Sequence, residues 1–449
     1  MHFSKTYAQL LQELPPELSQ NAIQYRQLKK QINQVVVELA SLGLAPSVLH
    51  DLLKSGAAEE RAIVSYELDT HSGHIEPRLR LLAGPPAIEA SDVVDPEAEQ
   101  TASQIALLWA SQRQTQRLDG DTAQGGLVIP LPSDSAFFEL LTTTLQALSD
   151  NLLTIRTQFI ATLSELTKTV SNSARPASAV SSFKVHSALN ADAGGVRVDA
   201  SSRKSDLYSW REIFQLYIEA EIFESVSEQH RGERTTEDAE HRLKQFIERV
   251  TARALGDGRT LRLPQSRPAL ESFLQLNLFI LNVKKFELAN AEATRKILKK
   301  HAKRTALPAT DSQNNNALVL LPTSRTSLPQ ILVQELGTTL LPVIPSLEDY
   351  ACLICTGIAF KPIRLRCGHL FCVRCLVKMQ KRGNSQCPMC RSPCVLLADK
   401  SNVDWALLNF MRDWFPEEAS LKLKQNEQEA TQEQLHELGL DPDQRCVVM

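Results

Sequence analysis

Residues 352–390 read CLICTGIAFKPIRLRCGHLFCVRCLVKMQKRGNSQCPMC, and this stretch decides how the C-terminal part of the chain folds. Eight of its side chains, Cys352, Cys355, Cys367, His369, Cys372, Cys375, Cys387 and Cys390, fall into four pairs, with eleven residues between the first and second pair and eleven between the third and fourth. A Cys-x-x-Cys turn lets two thiolates reach one ion, and Cys367-Gly368-His369 brings a sulfur and an imidazole nitrogen within similar reach. Eight ligands fill two closed tetrahedral sites with no position left for water, so metal held here is structural and performs no Lewis-acid chemistry. So short a segment lacks the apolar surface for a core of its own, and ion binding must supply much of its folding free energy.

Outside this stretch, 449 residues with 43% hydrophobic content have room for two or three domains and a genuine core. Nine cysteines, none before Cys352, argue for a reducing compartment. Residues 1–20 lack the apolar run of a signal peptide, and the apolar stretches near 273–283 and 317–345 are interrupted by Gln, Asn, Arg or Pro. The expectation is a cytoplasmic and/or nuclear chain with no transmembrane span. A net charge of −3 predicts neither nucleic-acid coating nor membrane adsorption.

Local charge is less even. Arg295 to Arg304 carries six formal positive charges plus His301 and no acid. On a helix, Lys296, Lys299 or Lys300, and Lys303 line one side, where like charges repel unless an anion neutralises them. A solvated face or a nuclear-import sequence would read similarly. No aromatic stacking residues interleave the stripe, which argues against nucleic acid. Near the start, Leu28, Ile32, Val35 and Leu39 mark the apolar face of a second helix, and Tyr25 and Lys29 lie one turn apart beside it.

The rest reads mainly helical. Phe138, Leu141, Leu145, Leu148, Leu152, Ile155, Phe159, Leu163, Leu166 and Val170 recur at spacings of three and four, predicting a long core helix over Ser135–Val170 that packs internally rather than as a separate coiled coil. Further helices are expected from Ser209, with Trp210 as a packing residue, near Glu237–Ala254, and over Pro268–Lys303. Val64, Tyr66 and Leu68 alternate before a Ser72-Gly73 turn, which predicts a β-hairpin insert. A moderate helical stretch is expected around Trp109.

The ligand order Cys, Cys, Cys, His, Cys, Cys, Cys, Cys resembles the RING finger. The resemblance implies a cross-brace, with Cys352, Cys355, Cys372 and Cys375 on one zinc and Cys367, His369, Cys387 and Cys390 on the other. It also implies a ubiquitin ligase without a nucleophile of its own, which docks a ubiquitin-charged conjugating enzyme and orients its thioester. The matching docking positions are Ile354, Met379, Pro388 and Arg391, with Met379 standing where many ligases carry Trp.

Met1-His2-Phe3-Ser4-Lys5, Tyr25 to Ile32, and Arg295-Lys296-Ile297-Leu298-Lys299-Lys300-His301-Ala302-Lys303 resemble the SPX domain, a helical module that binds inositol polyphosphates and pyrophosphates. Carried over residue by residue, the site comprises Lys5, Tyr25, Lys29, Lys296, Lys299, Lys300 and Lys303. This sequence departs from the family pattern at His2, usually Lys, and at Ala302, usually an acid.

Together these resemblances imply a fungal-type SPX-RING ubiquitin ligase. The expected fold is mainly α, a helical SPX domain with long antiparallel helices and a small β-hairpin insert, followed by a small α+β zinc-binding RING domain. The expected boundaries are an SPX domain over 1–304 with disordered inserts at about 84–134 and 171–206, a linker over 305–348, a RING over 349–400, a flanking helix over 401–416 and a polar tail over 417–449. Two structural zinc ions and an inositol polyphosphate or pyrophosphate are the expected bound groups. The expected partners are a conjugating enzyme, ubiquitin, clients such as phosphate transporters or phosphate-pathway regulators, and a second copy through the RING. The alternative is a non-enzymatic phosphate-sensing zinc scaffold. The chain ends in Cys446-Val447-Val448-Met449, which resembles a prenylation box and implies reversible membrane association through Cys446.

Overall fold

The computed structural model describes residues 3–55, 64–69, 75–81, 127–176, 205–225, 232–256, 260–307 and 327–437. The helical stretch expected around Trp109, and Cys446 with its terminal box, lie outside the described residues. The fold is mainly α, with small antiparallel strand pairings, as the sequence predicts. No helix among the described residues is long and apolar enough to cross a membrane. The chain divides into two compact units, one of Met1–Ile160 with Leu278–Leu332 and the other of Ala161–Asn277 with Val333–Met449.

In the first unit, α1 (Phe3–Glu13), α2 (Pro16–Ser19), α3 (Tyr25–Ser41) and α4 (Pro46–Ser55) precede strands β1 (Val64–Asp69), β2 (Glu76–Leu81) and β3 (Leu127–Pro130). The two predicted strands pair antiparallel, the Ser72-Gly73 turn lying outside the described residues, and β3 extends them to a sheet in the order β1-β2-β3, with Tyr66 opposite Leu79 and Leu79 opposite Ile129. Four residues are too few for a periodic signature, so β3 was invisible within the expected insert.

The long helix α5 runs from Pro132 to Ser173, three residues beyond the expected Ser135–Val170 at each end. Phe138, Leu141, Leu145, Ile155, Phe159, Leu163, Leu166 and Val170 are buried, because a three-and-four spacing keeps them on one side. Glu38 receives the Ser133 N–H at 2.9 Å, so an acid from α3 caps the open first turn of α5. The other long helix, α8 (Ser266–Thr305), contributes Ala289, Ala293 and Ile297 to the core shared with Tyr25, Leu28, Ile32, Phe137 and Phe138. Asn290 is buried within this core, where its Oδ1 accepts from Tyr7 Oη at 2.7 Å and from the Ile23 N–H at 3.0 Å.

In the second unit, α6 (Leu207–Ala220) and α7 (Thr236–Ala252) flank the short strands β4 (Glu224–Ser225) and β5 (Gly232–Glu233). Trp210 is fully buried against Phe214, a packing role as expected. Buried Asp206 accepts from the Arg262 and Leu263 N–H groups, both at 2.9 Å, and from Ser266 Oγ at 2.6 Å, which ties the start of α6 to the start of α8.

After α9 (Leu328–Thr339) come β6 (Pro362–Arg364), β7 (Leu370–Cys372), α10 (Val373–Lys381), α11 (Trp405–Trp414) and α12 (Pro416–Glu437). Part of the expected polar tail is therefore a helix. Its sequence carries only a weak apolar stripe, but Phe415 and Ala419 are buried in one core with Phe360, Phe371, Leu376, Leu408 and Met411. Tertiary contact decides helix formation here more than local pattern does.

Candidate functional site

The two Cys-x-x-Cys turns at Cys352 and Cys387 have the same backbone. The N–H of Thr356 donates to the Cys352 carbonyl and that of Arg391 to the Cys387 carbonyl, both at 2.8 Å. The first cysteine of each turn donates its own N–H to the residue five places on, Gly357 at 2.7 Å and Ser392 at 2.8 Å. Closing the loop forces the residue after the second cysteine into the left-handed region, with φ of 56° at Thr356 and 60° at Arg391. Gly368, with φ of 86°, performs the corresponding turn between Cys367 and His369 at no steric cost. Cys372 caps α10, its sulfur accepting from the Cys375 N–H at 3.4 Å.

These turns bring the eight side chains into two groups, Cys352, Cys355, Cys372 and Cys375 in one and Cys367, His369, Cys387 and Cys390 in the other. Within each group the donor atoms lie within 4.8 Å of one another. A tetrahedral zinc with bonds of about 2.3 Å to sulfur and about 2.0 Å to nitrogen places sulfurs about 3.8 Å apart and sulfur from nitrogen about 3.5 Å. Cys355 Sγ stands 3.8 Å from Cys372 Sγ, and Cys367 Sγ stands 3.4 Å from His369 Nδ1. The donor sets fit zinc in spacing and in chemistry.

The charges point the same way. Hydrogen bonds from Cys372 and Cys375 hold the Cys352 thiol far below its ordinary range, while the bond to Cys352 pushes Cys372 up to about 12 and drives Cys375 upward too. Packed sulfurs ionise together only beside a cation.

Around the clusters, Leu353, Ile354 and Met389 are exposed at 56%, 42% and 53%, which makes an apolar surface on the two knuckles. Pro388 and Arg391 are exposed beside it. Met379 is 8% exposed and belongs to the module's core. Leu353 and Met389 were not singled out in the sequence, although each sits inside a Cys-x-x-Cys turn whose side chains have nowhere to go but outward.

In the first unit, Tyr25 opens α3, buried in a ring cluster with Phe3 and Tyr7, and burial raises its hydroxyl above the ordinary range. Lys29 is exposed one turn further on. Lys300 is held below its ordinary value by partial burial and by the charges of Lys29 and Arg304, so these cations share one locality. Lys296 is engaged: its Nζ sits 4.0 Å above the Phe3 ring and 3.1 Å from Glu292. Lys5, Lys299 and Lys303 are exposed on α1 and α8. Arg304, which hydrogen-bonds Asn33, joins the cluster, although in sequence it is only the last charge of the run. His301 departs from that run altogether. It is fully buried, stacks on Phe137 at 4.6 Å and places Nε2 2.6 Å from Asp134 Oδ1, while Tyr66 Oη donates to Asp134 Oδ2 at 2.7 Å. A stripe of lysines needs one flank on the core, and position 301 faces it.

The SPX domain family matches residues 1–315, and the C3HC4-type zinc finger (RING finger) family matches residues 352–390. The chain belongs to the SPX domain family. Its C-terminal segment is a RING finger. A RING finger protein of Schizosaccharomyces pombe is 29% identical over 95% of this chain and 96% of its own length. The "Transcriptional regulator of yeast form adherence 3" of Candida albicans is 28% identical over the whole of both chains. Over the RING alone, 11% of this chain and 10% of the relative, the mouse E3 ubiquitin-protein ligase TRIM21 is 39% identical. No solved structure matches the chain.

Proposed function

We propose that this SPX-RING protein is a RING-type E3 ubiquitin ligase whose SPX domain senses an inositol polyphosphate or pyrophosphate. The observation that carries the ligase reading is the exposed apolar surface of Leu353, Ile354 and Met389 on two four-donor clusters. In this reading the clusters hold two structural zinc ions that lock the knuckles in place. Ile354 and Met389 then contact the conjugating enzyme, Pro388 shapes the same surface, and Met379 supports it from below. Arg391 is exposed and presents five N–H donors in a planar fork, which suits it to bridge the conjugating enzyme and its bound ubiquitin. The chain contributes orientation and no nucleophile, so its effect on rate comes from holding the thioester toward an incoming lysine.

For the SPX part, Tyr25, Lys29, Lys300 and Arg304 supply a phenol and three cations in one locality, with Lys5, Lys299 and Lys303 beyond. Point charges on flexible stems suit a ring of phosphates, so affinity climbs with phosphate number and falls with salt. By resemblance the clients are phosphate transporters or phosphate-pathway regulators.

The test is ubiquitin transfer by the full chain with a panel of conjugating enzymes, with and without inositol hexakisphosphate. Transfer that Ile354→Ala abolishes at unchanged zinc content is the expected outcome. A chain that carries zinc yet transfers no ubiquitin with any conjugating enzyme would favour a non-catalytic scaffold.

A further inference from the structure

The helix α12 lies well beyond the RING family match, yet Lys422 on it reaches the first four-sulfur group. Its Nζ is 3.4 Å from Cys355 Sγ. Its stem passes over Gly357, where an added Cβ would sit 3.6 Å from Nζ and 3.9 Å from Cδ and Cε, so the side chain runs over the knuckle on the side that glycine leaves open. We propose that Lys422 is an outer-sphere cation of the first zinc site, donating an N–H···S hydrogen bond to the Cys355 thiolate, and that α12 is thereby part of the metal module. The inference rests on the zinc reading of the clusters.

Three observations carry it beyond a chance approach. The first is that α12 is held in place from several sides. Ala419, and Phe415 just before the helix, are in the module's core, Arg374 pairs with Glu429 and Glu433, and Lys378 Nζ lies 2.5 Å from Glu429. The second is that the natural partner of Lys422 is otherwise engaged. Glu418, one turn earlier and ideally placed for an ion pair on the same helix, accepts from Tyr208 Oη at 2.8 Å and lies 3.5 Å from Arg211. The ammonium turns to sulfur instead.

The third is charge. An all-sulfur set leaves more negative charge uncompensated around a dication than a set in which imidazole replaces one thiolate. The lysine is found at the all-sulfur group. A charged donor at a coordinating thiolate draws density from the sulfur, which slows its protonation and its attack by electrophiles, the two routes by which such a site loses its ion.

The experiment compares full-length wild type, Lys422→Met, Lys422→Arg and Glu429→Gln after zinc loading, by metal content and by the rate of zinc transfer to a chromogenic chelator. Glu429→Gln loosens α12 on α10 while leaving the sulfur contact. The expected result is two zinc ions per wild-type chain, one release phase accelerated about ten- to a hundred-fold in Lys422→Met, and near-wild-type release in Lys422→Arg and Glu429→Gln. In cobalt-loaded protein the sulfur-to-metal charge-transfer band should move to lower energy in Lys422→Met and return in Lys422→Arg. Equal release rates in wild type and Lys422→Met would overturn the inference, as would equal acceleration in Glu429→Gln, which would assign the effect to helix packing. A wild-type chain that takes up no zinc would instead overturn the ligand reading itself.

Discussion

Removing the Asp134 carboxylate should loosen the basic helix without touching a single lysine. Asp134 is fully buried and is the shared acceptor for Tyr66 from β1 and His301 from the end of α8, at 2.7 and 2.6 Å. Tyr66→Phe deletes one hydrogen bond to a carboxylate and should cost about 1.5–3 kcal/mol. Asp134→Ala deletes both and strands a buried imidazole and a buried phenol, which should cost about 3–5 kcal/mol. In hydrogen exchange on the full chain, those energies mean roughly ten- to a hundred-fold faster exchange for Tyr66→Phe and a hundred- to several-thousand-fold for Asp134→Ala. The acceleration should fall on the first turns of α5 and the last turns of α8. Because Lys300 and Lys303 flank His301, inositol hexakisphosphate affinity should fall with it at unchanged charge on the lysines. Burial and the Asp134 carboxylate keep the Tyr66 hydroxyl well above its ordinary range, so the Tyr66 donor persists through mildly alkaline conditions. If Asp134→Ala accelerates exchange less than Tyr66→Phe does, the three groups do not act as one tie.

The depressed Lys300 sets a pH dependence. The unfolded chain binds this proton more readily than the folded one, so the penalty is fully present below the folded pKa and disappears as pH rises past the unfolded value. An anion bound beside Lys300 restores the proton, so binding of inositol hexakisphosphate in the alkaline range below the ordinary lysine value should take up protons, read calorimetrically in buffers of different ionisation enthalpy; no uptake, or the same uptake in Lys300→Met, speaks against the site. Ile354 and Met379 should separate cleanly. Ile354→Ala should abolish ubiquitin transfer at wild-type thermal stability, whereas Met379→Ala, a buried truncation, should destabilise the module by about 2–5 kcal/mol, seen as a lower melting temperature of its transition. Arg211 donates to the Trp414 carbonyl at 2.7 Å and lies 4.5 Å over the Phe415 ring, so Arg211→Ala should raise hydrogen exchange in α11 and α12 and spare the first unit; unchanged exchange there would make the contact incidental.

Periodicity and spacing are properties of neighbours in sequence, and they sufficed for much of this protein. Three-and-four apolar spacing announced α5, alternation around Tyr66 announced the hairpin, and short cysteine pairs announced two clusters of four donors. Exposure and charge sharing are properties of the folded surface, and these only the tertiary structure decided. His301 sits in a run of lysines yet turns inward, because a helix with one face on the core must bury some position in every turn. Lys296 carries a charge suited to phosphate yet lies over Phe3 beside Glu292. Residues 417–437 read as polar tail because their helix is held by partners distant in the chain, namely Arg374, Lys378 and Cys355, and no local pattern encodes a contact made across that separation.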